Sequence, residues 1–292
     1  MWSVLSKYID DIKVIVWAHG AEIQLWNRRE FEFERMSTAE VGKQKKLSDL
    51  RKKFWLNLLK EPHPNLKLVF VSEYFKNEVF TDFGVTLPDE QVEVIHNYIN
   101  DKRFPYSPKS SELRKKILSI RPYASRKYAN DLTIKTILEL SKRDFFNELE
   151  FCLVGDGPLF DELTSKVSSF KNVKLRKGFL NQADIAELHK SYGVFLTPTR
   201  MDSQGVSRDE AMSSGLVPIT NSVAAIPEFL DDSSGFMVPS EDYKAMADAI
   251  ETLFKNEKLF LEMSVNASLR VRKQCGLEET IKKEMQLFDC EK

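Results

Sequence analysis

Cysteine is scarce: Cys152, Cys275 and Cys290 are the only three in 292 residues. Three scattered thiols make neither a disulfide framework nor a metal-ligand spacing, and a reducing cytoplasm is the simplest compartment. No apolar run approaches the roughly 20 residues that span a bilayer. The opening MWSVLSKYIDDIK has acids where the apolar centre of a signal peptide would stand. An excess of either charge is missing too. The chain is 30% charged with a net charge of -1, which excludes a general nucleic-acid binder, because that needs a basic surplus to displace counterions.

What is present is alternation. Short apolar, β-branched runs occupy 12–17, 66–71, 92–95, 115–120, 149–154, 172–176, 193–197 and 216–220. Longer amphipathic stretches separate them, such as LTIKTILELSKR after Asp131 and DYKAMADAIETLFKN from Asp242. The pattern predicts an α/β chain with parallel sheets. The segment NYINDKRFPYSPKSSE (97–112) has two prolines and no helical period, and reads as a linker.

About five strands follow the linker, enough for one doubly wound domain. Only three precede it. The N-terminal unit therefore reads as the second half of a Rossmann-like domain whose first half is missing; a small α/β domain of unusual build is the alternative. The expected division is 1–105, 106–272 and a C-terminal helix in 273–292, with a break at Gly276.

The most informative stretch is LTPTRMDSQGVSRDEAMSSGLVPIT (196–220). A strand, a short loop and a helix from about Gly205 to Gly215 are predicted, with Gly215 as a left-handed cap. Ser203, Gln204, Gly205 and Val206 would offer backbone N–H groups at a helix N-terminus, which is an anion site suited to a diphosphate. Asp202 and Glu210 flank that site, and carboxylates accept hydrogen bonds from sugar hydroxyls.

This stretch, Asp202-x7-Glu210 followed by AMSSGLVP, resembles the signature of family 4 retaining glycosyltransferases (glycosyltransferases group 1). That family has the GT-B fold of two Rossmann-like domains. LVGDGPL (153–159), RKGFL (176–180), VAAIPEFLDDSSGFMVP (223–239) and VIHNYIN (94–100) resemble further family segments in family order. The family usually has Glu where Asp202 stands.

The resemblance implies a nucleotide-sugar donor as co-substrate, no cofactor and no metal, and transfer to a glycan or lipid-linked acceptor with retention. It implies that Glu210 binds the ribose, Asp202 the donor sugar, and the backbone at Gly178 and Phe179 the base. Arg121, after the strand ILSI, and a nearby cation would neutralise the diphosphate. Lys127 is favoured for the second cation, with Arg126 as its rival. His19, which follows the strand IKVIVW, would line the sugar site. The absence of any Asp-x-Asp motif agrees with cations instead of a chelated metal.

Other readings stay open. The chain could be a truncated or split nucleotide-binding subunit that needs a partner chain to supply the missing half. A nucleotide-sugar epimerase of the same fold is weighed against by AMSSG. NAD binding is disfavoured, because GDGP (155–158) has Phe160 where a third glycine belongs. Finally, KQKKLSDLRKKFWLNLLK (43–60) has seven basic residues and one acid, plus Phe54 and Trp55. Such a helix can lie on an anionic membrane surface, or pack its apolar side on its own domain.

Overall fold

The structure, a computed structural model, describes residues 2–288. Cys290 lies outside them; Cys152 and Cys275 are buried and free. The chain divides into two compact units: residues 1–97 with 283–292, and residues 98–282.

Unit one is a three-stranded parallel sheet in the order β1 (Val14–Ala18), β2 (Leu66–Phe70), β3 (Val92–Val94). Its core gathers Ala18, Leu68, Phe70, Phe75 and Val79 with Trp55 and Leu59 of helix Thr38–Lys60. That helix begins five residues before the basic run. Ser37 and Glu40 close a capping box there, each side chain bonding the other's backbone N–H. Residues 283–288 belong to this unit: Lys13 donates to the Leu287 carbonyl at 2.9 Å, and Phe288 stacks on Trp17.

Unit two is a six-stranded parallel sheet. Its strands are β4 (Lys116–Ile120), β5 (Glu150–Gly155), β6 (Val173–Lys177), β7 (Val194–Leu196), β8 (Val217–Asn221) and β9 (Phe236–Val238). The order is β6-β5-β4-β7-β8-β9. About five strands were expected. The sixth, β9, is only three residues long, too short to show a period, and pairs with β8 through Ile219↔Phe236. Ile117, Phe151, Leu153, Val194, Leu196 and Ile219 are all but inaccessible to solvent, as parallel strands covered on both faces must be.

Residues 98–105, expected at the end of the first domain, pack instead with unit two. Ile99 donates its N–H to the Cys275 carbonyl, Ser213 Oγ donates to the Phe104 carbonyl, and Phe104 is buried. The apolar side chains of this proline-containing linker give it a core to join.

The strand order decides where a ligand can sit. From β4 the chain moves outward through β5 and β6, then crosses back to β7 beside β4 and moves out the other way. In an open parallel sheet the crevice lies at this switch, outside the carboxyl ends of the two central strands. Arg121 follows β4, and the loop with Asp202 follows β7.

Candidate active site

Arg121 is 5% exposed. Its Nη2 lies 4.0 Å from the Asp202 carboxylate, and its Nη1 donates to Ser207 Oγ at 3.4 Å. The guanidinium carbon is 5.2 Å from the Tyr128 ring centre. Its Nε is buried with no hydrogen-bond partner, which leaves a cation with unused donor capacity. Burial pulls this guanidinium down from its ordinary value, and Asp202 pushes it back up.

Two glycines explain how the Arg121 turn is shaped. A Cβ on Gly155 would stand 1.9 Å from the Arg121 carbonyl oxygen, and one on Gly157 would stand 2.4 Å from Tyr123 backbone. Tyr123 N–H bonds the Asp156 carbonyl at 2.7 Å, and Leu159 N–H bonds the Tyr123 carbonyl at 3.1 Å. The GDGP turn thus packs against the Arg121–Tyr123 turn.

The helix Val206–Ser213 starts at Gly205, whose φ of +100° is left-handed. Gly215, at φ +85°, follows its end. The N–H groups of Gly205, Val206 and Ser207 have no intrahelical acceptor. Gln204 departs from expectation. Its N–H is taken by Asp202 Oδ1 at 3.3 Å, and its side chain is buried, donating to Asp209 at 3.1 Å. The helix tip itself therefore offers the N–H groups of Gly205, Val206 and Ser207. The sequence placed the helix start at Gly205, where it lies, but the expected donors were counted back into the loop, which left Ser207 out.

Behind the tip lies a buried pair. Arg208 and Asp209 are 2% and 0% exposed and meet at 2.7 Å. Glu210, half-buried, has a carboxyl pushed up to about 7, first by burial and then by the neighbouring Asp209 charge. Ser203 is half-buried in the same loop.

Of the rival cations, Arg126 lies 3.9 Å from Asp131. Lys127 Nζ lies 5.7 Å from the Tyr128 ring centre, the ring that Arg121 also faces. Gly178, at φ +135°, donates to the Gly155 carbonyl at 3.0 Å, and Phe179 next to it is 78% exposed. His19 belongs to unit one. It is exposed, just past the end of β1, and its backbone N–H bonds the Glu22 carboxylate.

Arg200 was also missed. It bridges Asp131 and Glu241 from the loop between β7 and Asp202. Nothing in sequence marks a loop arginine as bridging, since its partners are 69 and 41 residues away.

Residues 114–256 match the family model described as Glycosyl transferases group 1. Among curated proteins, the chain is similar to the N-acetyl-alpha-D-glucosaminyl L-malate synthase of Bacillus anthracis, at 25% identity over 208 residues, covering 66% of this chain. The match covers 52% of that enzyme, so the chain spans about half the length of this curated relative. Among solved structures, WaaG, a glycosyltransferase involved in lipopolysaccharide biosynthesis, superposes with a TM-score of 0.72 at 15% identity, covering 99% of this chain and 80% of that one. A variant of TarM from S. aureus, crystallised with fondaparinux, α-GlcNAc-glycerol and UDP, gives 0.68 at 19%, covering 82% of this chain and 47% of that one. With its doubly wound domain and helix-tip glycine, the chain is similar to the glycosyl transferases group 1 family over residues 114–256 and has the GT-B fold.

Proposed function

We propose that this protein is a glycosyltransferase that moves a sugar from a nucleotide-sugar donor to a glycan or lipid-linked acceptor, with retention of configuration, in the synthesis of a cell-surface polysaccharide or lipopolysaccharide. One observation carries the reading: Arg121, buried and incompletely hydrogen-bonded, meets Asp202 and Ser207 at the tip of the Gly205 helix. Arg121 and Lys127 neutralise the diphosphate from one side, and the N–H groups of Gly205, Val206 and Ser207 bind it from the other. These cations make a metal unnecessary, so EDTA is expected to leave transfer unchanged. Glu210 accepts from the ribose hydroxyls, Asp202 from the donor sugar, and Gly178 and Phe179 border the base. His19 stands at the carboxyl end of β1, the ligand edge of its own sheet. A glycan acceptor is supported by a cavity of about 230 Å³ in unit one lined by Gln24, Trp26, Arg29, Glu32, Phe33 and Ser48, where an aromatic face and polar groups together suit a sugar.

Thermal-shift titration with UDP, GDP and ADP tests the reading. UDP leads because the TarM variant was crystallised with it. Stabilisation by one diphosphate and its sugars is expected; no shift with any of them would reject a donor site.

The Glu210 carboxyl gives this site a pH signature. Ribose binding needs the carboxylate, so nucleotide affinity is expected to fall as pH drops from 8 to 6 through the value of about 7. In Glu210→Gln the affinity is expected to be lower and flat over that range, by calorimetry. Stability runs the other way. The folded value lies above the unfolded one, so this group's stabilising contribution is complete below the unfolded value and is lost as pH rises towards 7. A wild-type affinity that does not change between pH 8 and 6 would remove Glu210 from the nucleotide site.

Membrane-surface contact at the inner face of the cell membrane belongs to the same proposal. On helix Thr38–Lys60, Trp55 and Leu59 turn to the core, while Leu47, Leu50 and Phe54 are 45%, 58% and 40% exposed among Lys43, Lys46 and Lys53. Each basic residue near an anionic surface adds ~1 kcal/mol. No described helix is long and apolar enough to cross a membrane. Co-sedimentation with phosphatidylglycerol vesicles is expected at low salt, with loss at high salt and in Leu50→Glu/Phe54→Glu. Equal sedimentation of the two proteins would reject this face.

A second reading, a subunit that needs a partner chain, has its own support. β1 is an edge strand with an apolar sequence and neither proline nor charge to blunt it. Beside it Leu5, Ile12, Val14, Ile15, Trp17 and Phe288 line a cavity of about 400 Å³. Nucleotide binding without transfer by this chain alone would favour that reading.

A further inference from the structure

We infer that Arg200 is a positioning residue that holds the Lys127 turn and the Asp202 loop in register for the donor diphosphate; the inference rests on the donor-site reading above. Arg200 uses its whole guanidinium. Nη1 and Nη2 fork onto Asp131 at 2.8 and 2.9 Å. Nε and Nη2 fork onto Glu241 at 2.7 and 2.8 Å. Nη1 also donates to the Arg126 carbonyl at 2.8 Å. These bonds account for all five N–H donors that a guanidinium has.

The backbone adds to the clamp. Arg200 N–H bonds the Lys127 carbonyl at 2.9 Å, and Thr199 Oγ donates to the same carbonyl at 3.3 Å. One side chain therefore ties together three loops, those that follow β4, β7 and β9. All three leave the carboxyl edge of the sheet, where the ligand crevice lies. Asp202 is two residues beyond Arg200, and Lys127 is held through its own carbonyl.

The held loops are under conformational tension. Ala129 and Glu241 have φ of +47° and +61°, a region that side chains other than glycine disfavour. Ala129 closes the turn that carries Lys127, and Glu241 is one of the two carboxylates held. Such outliers persist where surroundings over-determine them, and they cluster at ligand clamps. Lysine cannot replace the fork, because its ammonium is a point charge with no planar pair of donors.

The test is a double-mutant cycle on calorimetric affinity for UDP, with GDP and ADP tried in turn, on the full chain. Arg200→Lys is expected to weaken binding on the order of tenfold, as for other residues that orient a ligand-bearing group. If Arg200 acts through Lys127, then Arg200→Lys/Lys127→Ala binds no more weakly than Lys127→Ala alone. Glu241→Gln, which keeps the Asp131 fork and both backbone bonds, is run through the same cycle so that a folding defect in Arg200→Lys leaves a readable result. Additive losses in the cycle, or wild-type affinity in Arg200→Lys, would overturn the positioning role while leaving the donor site standing. A wild-type chain that binds none of the three diphosphates overturns both.

Discussion

Arg121→Ala is expected to lower sugar transfer by ~100- to ~1000-fold, the usual loss when one preorganised donor to a developing negative charge is removed. Departure of a nucleoside diphosphate gathers charge on its oxygens, and a cation already stripped of water stabilises that charge without reorganising. Arg121 is such a cation: it is buried, lies 4.0 Å from Asp202 and keeps an unpartnered Nε. Arg121→Lys is expected to recover only part of the loss, since the ammonium cannot reach Ser207 and the Pro198 carbonyl together as the guanidinium does. Single-turnover rates with a saturating donor separate this effect from weakened binding. Near-wild-type turnover in Arg121→Ala would take Arg121 out of the site.

The largest stability effect is expected behind the helix tip. Arg208→Met should destabilise the protein by ~3–5 kcal/mol, the range for removing one member of a buried ion pair. Asp209 is wholly buried, and burial already pushes its carboxyl up while Arg208 pushes it down. Without Arg208 that carboxyl keeps the side-chain amide of Gln204 as a donor, at 3.1 Å. Each kcal/mol corresponds to ~2–4 °C in Tm for a domain of this size, so calorimetry resolves the change. The double variant Arg208→Met/Asp209→Leu is expected to regain much of the loss, because no charge is left unpaired. A double variant as unstable as the single one would mean that packing against Phe229, whose ring centre lies 5.4 Å from the guanidinium, matters more than charge.

Much of this was legible in the residues. The alternation of apolar runs and amphipathic stretches set the α/β class, because buried parallel strands need apolar side chains on both faces. Gly205 and Gly215 marked the two ends of one helix, since both occupy backbone conformations that disfavour a Cβ. Asp202 and Glu210 stood out through the glycosyltransferase likeness. The setting of Glu210 did not show: burial, a fact of packing, pushes its carboxyl up, and the Asp209 charge adds to it.

Local sequence therefore determined the strands, the caps and the acidic and basic residues proposed to grip a nucleotide sugar, since each depends on a few neighbours along the chain. Three things only the folded protein decided. The crossing from β6 back to β7 placed Arg121 beside the Asp202 loop. The capping of the Gln204 N–H by Asp202 moved the open donors on to Ser207. The convergence of Asp131 and Glu241 made a loop arginine into a clamp. The first and third join residues far apart in sequence, the second depends on the conformation the loop takes in the fold, and no local pattern of residue types encodes a distance through space.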